Sequence, residues 1–286
     1  MPALQPQPER TSDALAPAPA GIVYSCAGET YIEEALRSAR SSIGHNALPH
    51  VLFTSADVDS EPGLTAVRFE PSTNAYADKI ANMRRSPFDR TIYLDTDTFV
   101  VDEIVHVLAL LDHFELAVAH DPSRRRNGDE LVPDAFPEFN TGVIAWRAGE
   151  RIDAFMRDWE ETYLRWLADE PFAGAAQASA KRRARLEPGR APSWGGAADQ
   201  PAFRRCAWEH DVRLFVLAPE YNLRLGEPAT VVDRVRVIHG RHDDYDSLAA
   251  RINDRLRPRS WPPRRTWRER LGAARRRLDR RIGAGW

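Results

Sequence analysis

Residues 91–101 read TIYLDTDTFVV. The first four form an apolar run rich in β-branched and aromatic side chains, which predicts a buried β-strand. Asp95 and Asp97 follow that strand directly, and a second apolar group comes immediately after them. Once the backbone turns, two such carboxylates can converge on one hard cation, and oxygen ligands suit Mg²⁺ or Mn²⁺. A solvated acidic turn is the alternative interpretation of the same pattern.

Strand and helix patterns alternate on both sides of this segment. The predicted strands cover residues 21–26, 51–54, 65–69, 91–94, 116–119, 142–146, 212–217 and 235–239. The predicted helices cover residues 31–39, 75–83, 104–111, 152–167 and 199–209. This alternation is typical of an α/β fold whose largely parallel sheet is flanked by helices. Ligands of such sheets bind beyond the carboxyl ends of the strands.

The chain divides into three predicted regions. Residues 1–20, rich in proline and alanine, lack the apolar run of a signal peptide and predict a disordered leader. Residues 21–250 predict one domain, with a mobile insertion at 168–195. Residues 251–286 carry 13 arginines against three acidic residues and predict a basic linker followed by an amphipathic helix.

Composition limits the class of protein. The 286 residues are 43% hydrophobic and 29% charged, and no apolar run approaches the ~18 residues of a membrane span, which excludes integral membrane and wholly disordered proteins. The net charge of −2 does not favour a nucleic-acid binder. Cys26 and Cys206 are too few for a disulfide framework, which favours a reducing compartment and predicts a cytoplasmic protein.

Three further motifs follow the two aspartates in order. Residues 139–144 read FNTGVI, Asp199-Gln200 opens a predicted helix, and residues 237–240 read VIHG. Together with the Asp-x-Asp strand they resemble the GT-A nucleotide-sugar glycosyltransferases, most closely the family 8-like branch, over roughly residues 21–245. The resemblance implies a GT-A domain that moves a hexosyl group, with retention at the anomeric carbon, from a nucleotide diphosphosugar such as a UDP-sugar to an acceptor hydroxyl. The acceptor would be a glycan, a lipid-linked sugar or a protein.

The resemblance also implies a metal site for Mn²⁺ or Mg²⁺. Its ligands would be Asp95, Asp97 and His239, although a histidine at a strand end is otherwise an ordinary surface residue. Family members usually continue with a glycine and a lysine that grip the diphosphate, whereas this chain continues with Gly240 and Arg241. Arg241 would substitute by charge, although arginine and lysine differ in geometry.

The donor nucleotide would lie along the first strand and the loop after it. The residues implied there by the resemblance are Tyr24, Ser25, Cys26 and Ala27, with Thr96 on the metal-binding turn. Tyr31 would stack on the base, or would instead pack on the sheet as a helix residue. Asp57 would accept a hydrogen bond from the base or ribose, although an acidic turn residue is the preferred interpretation. Lys79 or its rival Arg84 would supply a cation near the donor, with a solvated helix face as the alternative for both.

The donor sugar would meet a separate group of residues. Asn140, with Thr141 and Gly142, would contact the sugar, unless Asn140 is a turn residue that bonds its own backbone. Asp199 and Gln200 would be the catalytic residues near the reacting sugar face, and Asp199 also suits a helix N-cap.

Two other functional classes stay open. A sugar-1-phosphate nucleotidyltransferase would share the layout and the metal, but its glycine- and arginine-rich first loop is missing after Cys26. A catalytically silent protein of the same fold would bind without turnover. The P-loop, dinucleotide-binding, serine-hydrolase and zincin motifs do not occur in the sequence. The basic C-terminal region predicts an anionic contact, which would be a membrane surface, nucleic acid or the acidic body itself.

Overall fold

A computed structural model describes residues 18–121, 131–168, 198–254 and 257–261. Its central sheet has seven strands: β1 (Ala18–Cys26), β2 (His50–Thr54), β3 (Leu64–Arg68), β4 (Phe88–Leu94), β6 (Leu116–His120), β7 (Phe139–Arg147) and β8 (Leu214–Leu217). They lie in the order β3-β2-β1-β4-β7-β6-β8. The helices are α1 (Ile32–Ile43), α2 (Ala75–Arg84), α3 (Glu150–Ala168), α4 (Gln200–Glu209) and α5 (Tyr245–Asn253). Short 3₁₀ segments occupy Glu29–Tyr31, Val105–Asp112 and Pro219–Tyr221.

Helices cover both faces of the sheet because successive strand residues point to opposite sides. On one face Val23 and Tyr93 pack with residues of α2, α3 and α4, around the fully buried Trp159. On the other face Ile22 and Ile92 pack with α1 and the 3₁₀ segment Val105–Asp112. The predicted α/β class, with a mostly parallel sheet flanked by helices, is therefore confirmed.

One strand of the sheet runs against the others. β4 pairs in parallel with β1 but antiparallel with β7, and β7 is also antiparallel to β6. Because of this reversal, the first residues of β7 lie at the same sheet edge as the last residues of β4. β7 begins at Phe139 rather than at the predicted position 142, so Asn140 is a strand residue and not the end of a loop.

A three-stranded sheet stands beside the end of β4. It consists of β5 (Thr98–Val100), β9 (Leu223–Arg224) and β11 (Val237–His239), with β11 in the middle. β11 pairs antiparallel with β5, so the strand that follows the two aspartates is bonded to the strand that ends at His239.

Both predicted domain boundaries fall inside regular structure. β1 begins at Ala18, so residues 18–20 belong to the sheet and not to a leader. Helix α5 runs through the predicted boundary at 250, and β12 (Arg259–Trp261) pairs antiparallel with β10 (Ala229–Val231), while the Trp261 indole donates to the Leu225 carbonyl at 3.4 Å. The domain therefore extends at least to Trp261. The rest of the predicted leader, the predicted helical tail and nearly all of the predicted insertion lie outside the described residues.

Candidate active site

The turn after β4 is fixed at both of its ends. The Asp95 N–H donates to the Gly142 carbonyl at 2.8 Å, which ties the turn to the start of β7. The Thr98 N–H and hydroxyl both donate to the Asp95 carbonyl, at 3.1 and 2.8 Å. These bonds close a tight turn that places the Asp95 and Asp97 carboxylates together beyond the carboxyl end of β4.

The pairing of β11 with β5 brings His239 to the same place. His239 lies opposite Thr98 in the antiparallel register, and the Gly240 N–H donates to the Asp97 carbonyl at 2.9 Å. Gly240 has a φ of 124°, a conformation that a side chain would strain. His239 Nε2 lies 3.1 Å from Asp97 Oδ1 and 3.9 Å from Asp95 Oδ2. Ligand atoms of these three residues all lie within 4.8 Å of one another.

A chain of buried amides orients the imidazole. His239 Nδ1 lies 2.7 Å from Asn222 Oδ1, and Asn222 Nδ2 donates to Asn140 Oδ1 at 2.9 Å. Asn140 Oδ1 also accepts the Gly142 N–H at 3.1 Å. Because Asn222 Oδ1 is an acceptor, Nδ1 carries a proton and Nε2 is the nitrogen that faces the two aspartates. Asn140 therefore helps to orient His239 through Asn222, a role that the sequence pattern did not indicate.

Gly142 leaves room for this arrangement. A Cβ built at Gly142 would lie 2.2 Å from His239 Cε1 and 2.9 Å from Asn140 Oδ1. These distances are far below van der Waals contact, so any side chain at Gly142 would displace the histidine. The glycine of the FNTGV segment is therefore explained by close packing.

Lys79 joins a buried ionic cluster at the base of the site. Its Nζ lies 3.0 Å from Asp95 Oδ1 and 3.2 Å from Asp199 Oδ2, and it donates to the Thr141 carbonyl at 2.9 Å. The Thr141 hydroxyl donates to Asp199 Oδ2 at 2.8 Å. Lys79 is 5% exposed and Asp199 is 1% exposed. The cluster links α2, β4, β7 and the start of α4 through charge-assisted hydrogen bonds.

Asp199 occupies the N-cap position of α4 but does not cap the helix. Its side chain makes no capping hydrogen bond and turns instead to Lys79 and Thr141. The predicted capping role is therefore wrong, because the buried ammonium is the stronger partner. Gln200, the first residue of α4, is partly exposed at the same edge.

Burial and neighbouring charges act in opposite directions on the charged groups of the site. Burial opposes the charge of Lys79, but Asp199 and Asp95 raise its pKa, so it stays a cation at neutral pH. Burial raises the pKa of Asp199, while Lys79 pulls it in the opposite direction. Burial also opposes the charge of Asp97, yet His239 and Arg241 hold the pKa of that carboxyl well below its usual range.

Tyr93 is a further site residue that sequence analysis missed. Its hydroxyl donates to Asp95 Oδ1 at 2.9 Å, and Lys79 Nζ lies 5.0 Å from the centre of its ring. Burial and the nearby Asp95 carboxylate raise the pKa of Tyr93, so the phenol keeps its proton. Tyr93 and Lys79 both contact Oδ1 of Asp95, and so Oδ2 is the oxygen directed to His239. Tyr93 lies within the TIYLD strand, whose apolar pattern predicts a buried strand residue and gives no sign of this contact.

The triad fits a divalent cation by the chemistry of its donors. The two carboxylates lie in the turn after β4, and the imidazole ends β11. Mn²⁺ accepts both kinds of ligand, and the carboxylates also suit Mg²⁺. Lys79 and Tyr93 hold one carboxylate, and Asn222 holds the imidazole, as partners of metal ligands commonly do.

Arg241 and Thr96 lie on the other side of the turn and share Glu34 as partner. Arg241 donates to both carboxylate oxygens of Glu34, with Nη2 at 2.9 Å from Oε1, and the Thr96 hydroxyl donates to Oε1 at 3.1 Å. The Arg241 guanidinium carbon lies 5.6 Å from the centre of the Tyr31 ring. Tyr31 thus packs against the core on the α1 face of the sheet, as the alternative interpretation expects, and also has a cation over its ring. Glu34 was missed in the sequence.

The predicted residues of the first strand divide by burial. Tyr24 is fully buried and stacks on His50 at 6.3 Å, so its side chain is not available to a nucleotide. Cys26 is buried as well, and burial raises the pKa of its thiol to about 12. Ala27 is nearly buried, at 9% exposure. Ser25 is half-buried and accepts a hydrogen bond from Asn82 Nδ2 at 3.0 Å.

Asp57 and Arg84 lie outside the cluster. Asp57 is exposed and pairs with Arg68. Arg84 pairs with Glu160 of α3. Since a helix turns 100° per residue, the step of five residues from Lys79 to Arg84 places them about 140° apart on α2. Of the two predicted cations, Lys79 is the one that reaches Asp95.

The two solved structures described below are distant likenesses of this chain. No protein-family model matches the chain, and none of the curated proteins matches it. The galactosyltransferase LgtC, solved with donor and acceptor sugar analogues, is 12% identical, with a TM-score of 0.48 over 80% of this chain and 91% of its own. The glycosyltransferase GlyE of Streptococcus pneumoniae TIGR4 is 16% identical, with a TM-score of 0.43 over 78% of this chain and 55% of its own.

Proposed function

We propose that this protein is a metal-dependent glycosyltransferase of the GT-A type. It would transfer a hexosyl group from a nucleotide diphosphosugar, a UDP-sugar by the resemblance, to an acceptor hydroxyl with retention of configuration. The observation that carries the proposal is the convergence of Asp95, Asp97 and His239, which come from two separate segments and meet within 4.8 Å at the ligand edge of the sheet. The order of the motifs along the chain supports it.

Each residue has a proposed task. Asp95, Asp97 and His239 would hold Mn²⁺ or Mg²⁺, which when bound neutralises the charge that develops on the leaving diphosphate. Arg241 would contact the same phosphates. Lys79 would hold the Asp95 and Asp199 carboxylates in position through its two ion pairs.

The sugar would lie over the start of β7 and α4. The anomeric carbon loses its bond to the diphosphate and gains one to the acceptor oxygen, and the acceptor proton passes to the leaving phosphate. The Asp199 carboxylate would stabilise the positive charge that builds on the sugar ring, and Gln200 would contact the ring. This assignment needs no separate general base.

An assay of nucleotide release tests the proposal against both rival classes. The purified protein is incubated with Mn²⁺ and a panel of nucleotide sugars, and free UDP and pyrophosphate are measured. We expect slow metal-dependent UDP release by hydrolysis from at least one UDP-sugar, and faster release with a suitable acceptor. Pyrophosphate formation from a sugar-1-phosphate and UTP would indicate a nucleotidyltransferase. Binding of UDP with no release from any donor would indicate a silent binding protein.

Gln200 and Asn140 are expected to respond differently to alanine substitution. Gln200→Ala is expected to lower kcat about 100-fold and to change UDP affinity less than about threefold, because contacts made in the transition state appear in kcat. Asn140→Ala is expected to weaken Mn²⁺-dependent UDP binding as well, because it removes the acceptor that holds Asn222 against His239. Steady-state kinetics and calorimetric titration of UDP measure both. A parallel fall of rate and UDP affinity in Gln200→Ala would contradict its placement.

The C-terminal region is proposed as a membrane contact. Among the described residues, no helix is both long and apolar enough to cross a bilayer. Beyond them, apolar residues recur at helical spacing between arginines, at Trp267, Leu271, Ala274, Leu278 and Ile282. Such a basic amphipathic pattern favours an anionic surface, at about 1 kcal/mol per arginine. The protein would then be cytoplasmic and peripheral on the membrane that carries its acceptor.

Liposome sedimentation tests this proposal. The full chain is expected to bind vesicles of anionic lipid in a salt-sensitive manner, and a chain that ends at Trp261 is expected not to bind. Trp261 is the right end point because β12 pairs with β10 and belongs to the domain. Equal binding by both chains, or by neither, would contradict the membrane contact.

A further inference from the structure

Helix α1 presents a row of polar side chains to the metal-binding turn and to β5. The polar helix residues are spaced by four and then three positions, and their partners along the turn and β5 are spaced by two. Each helix side chain therefore meets a different partner. The three hydrogen-bonded pairs are Glu34 with Thr96 at 3.1 Å, Ser38 with Thr98 at 2.8 Å, and the Ser41 hydroxyl with the Val100 N–H at 2.9 Å.

Glu34 differs from the other two because it is charged and because it has a second partner. Both of its carboxylate oxygens accept from Arg241, one from Nε and one from Nη2. The Glu34 side chain is 10% exposed and that of Arg241 is 43% exposed, so a nearly buried carboxylate holds a guanidinium that faces solvent. Bidentate pairs of this kind fix the plane of the guanidinium as well as its position.

The held guanidinium lies next to the metal-binding triad. Arg241 directly follows Gly240, whose N–H is bonded to the Asp97 carbonyl, and the Tyr31 ring covers another side of it. Arg241 Nη1 has no hydrogen-bond partner in the part of the chain that the structure describes. A diphosphate bound to a cation at the triad would therefore find an oriented donor beside it.

We propose that Glu34 is a positioning residue that holds Arg241 in the orientation in which it binds the donor diphosphate. The inference rests on the proposed function, since it needs a diphosphate at the triad. A side chain that is already fixed loses little conformational entropy when it binds, so preorganisation by Glu34 raises affinity for the anion. Glu34 itself does not touch the donor, and its effect passes through Arg241.

Simple electrostatics predicts the opposite sign. A carboxylate near a diphosphate repels it, so neutralising Glu34 without any positioning effect would tighten nucleotide binding. The sign of the change in affinity therefore separates a positioning role from a purely electrostatic one.

Calorimetric titration of UDP in the presence of Mn²⁺ provides the test. Glu34→Gln is expected to weaken UDP binding about tenfold, the size of one lost charge-assisted contact. Glu33→Gln is the matched control, because it removes the same charge from the adjacent exposed position of α1, and a change below about twofold is expected there. Titration of Mn²⁺ alone is expected to give the same affinity in both variants.

A double-mutant cycle shows whether the effect passes through Arg241. Arg241→Ala is expected to weaken UDP binding, and Glu34→Gln added to it is expected to cause no further loss. Arg241→Lys keeps the charge and leaves the buried carboxylate in place, but an ammonium cannot make the bidentate contact. Arg241→Lys is expected to weaken UDP binding nearly as much as Glu34→Gln. It replaces Glu34→Gln in the test if that variant does not fold.

Three results would overturn the positioning role: equal or tighter UDP binding by Glu34→Gln, a full tenfold loss that persists in the Arg241→Ala background, or wild-type affinity in Arg241→Lys. A wild-type protein that binds no UDP with Mn²⁺ would instead overturn the proposed function, and the inference with it. The two failures are distinguished by the wild-type titration.

Discussion

Lys79→Met is expected to lower the free energy of unfolding by about 3 to 5 kcal/mol. This is the usual cost of removing one partner from a buried ionic cluster, because the remaining charge is left without compensation. Here two carboxylates, those of Asp95 and Asp199, would lose the ammonium that lies 3.0 and 3.2 Å from them. Methionine keeps most of the side-chain volume of lysine, so the change in the free energy of unfolding reports the lost charge rather than lost packing. Urea unfolding of the metal-free protein measures this change.

Arg84→Met is the matched control for that substitution. It removes a cation from the same helix, but its partner Glu160 lies in a more solvated pair, and a change of about 1 kcal/mol or less is expected. An equally small change in Lys79→Met would contradict the buried cluster.

The Lys79→Met penalty is also expected to depend on pH. Burial raises the pKa of Asp199, so this carboxyl takes up a proton more readily in the folded state than in the unfolded one. A group with that sign stabilises the fold as the pH falls toward its folded pKa. In Lys79→Met no ammonium opposes the effect of burial on Asp199, so protonation of Asp199 stabilises the fold more in this variant than in the wild type. The difference in the free energy of unfolding between wild type and Lys79→Met is therefore expected to shrink as the pH falls from about 8 to about 5. This range lies above the ordinary carboxyl pKa of about 4.

Asp95→Asn and Asp97→Asn are each expected to abolish Mn²⁺ binding while leaving the fold intact. An amide oxygen carries no net charge, so a site of two carboxylates and one imidazole would lose half of its negative charge. We expect a loss of affinity of at least about 100-fold, measured from the electron paramagnetic resonance signal of free Mn²⁺. Gln200→Asn serves as a control, because it leaves the triad unchanged. Wild-type Mn²⁺ affinity in both aspartate variants would contradict the metal assignment.

The sequence was a good guide to the parts of the site that lie close together along the chain. An apolar strand followed by Asp95 and Asp97 predicts both the strand and the turn, and β4 ends at Leu94, directly before them. The strand pattern before His239 is equally local, and β11 ends at that residue. What brings His239 to the aspartates is the pairing of β11 with β5, which hydrophobic periodicity does not encode.

The missed features depend on tertiary structure. The direction of β7 cannot be deduced from its apolar pattern, yet it decides that Asn140 and Thr141 face the end of β4. Asn222 and Glu34 belong to no recognisable motif, and each acts through a partner far away in sequence. The linker predicted after residue 250 contains the strand β12, because composition alone does not reveal that a three-residue strand closes a small sheet.

The most direct test of the central claim is the affinity of the wild-type protein for UDP with and without a divalent cation. If Asp95, Asp97 and His239 hold a cation against the donor diphosphate, calorimetric titration will show UDP binding with Mn²⁺ that is at least about 100-fold tighter than with a chelator, and Asp97→Asn will lose this difference. UDP binding of equal strength with Mn²⁺ and with chelator, or no binding under either condition, would contradict the account.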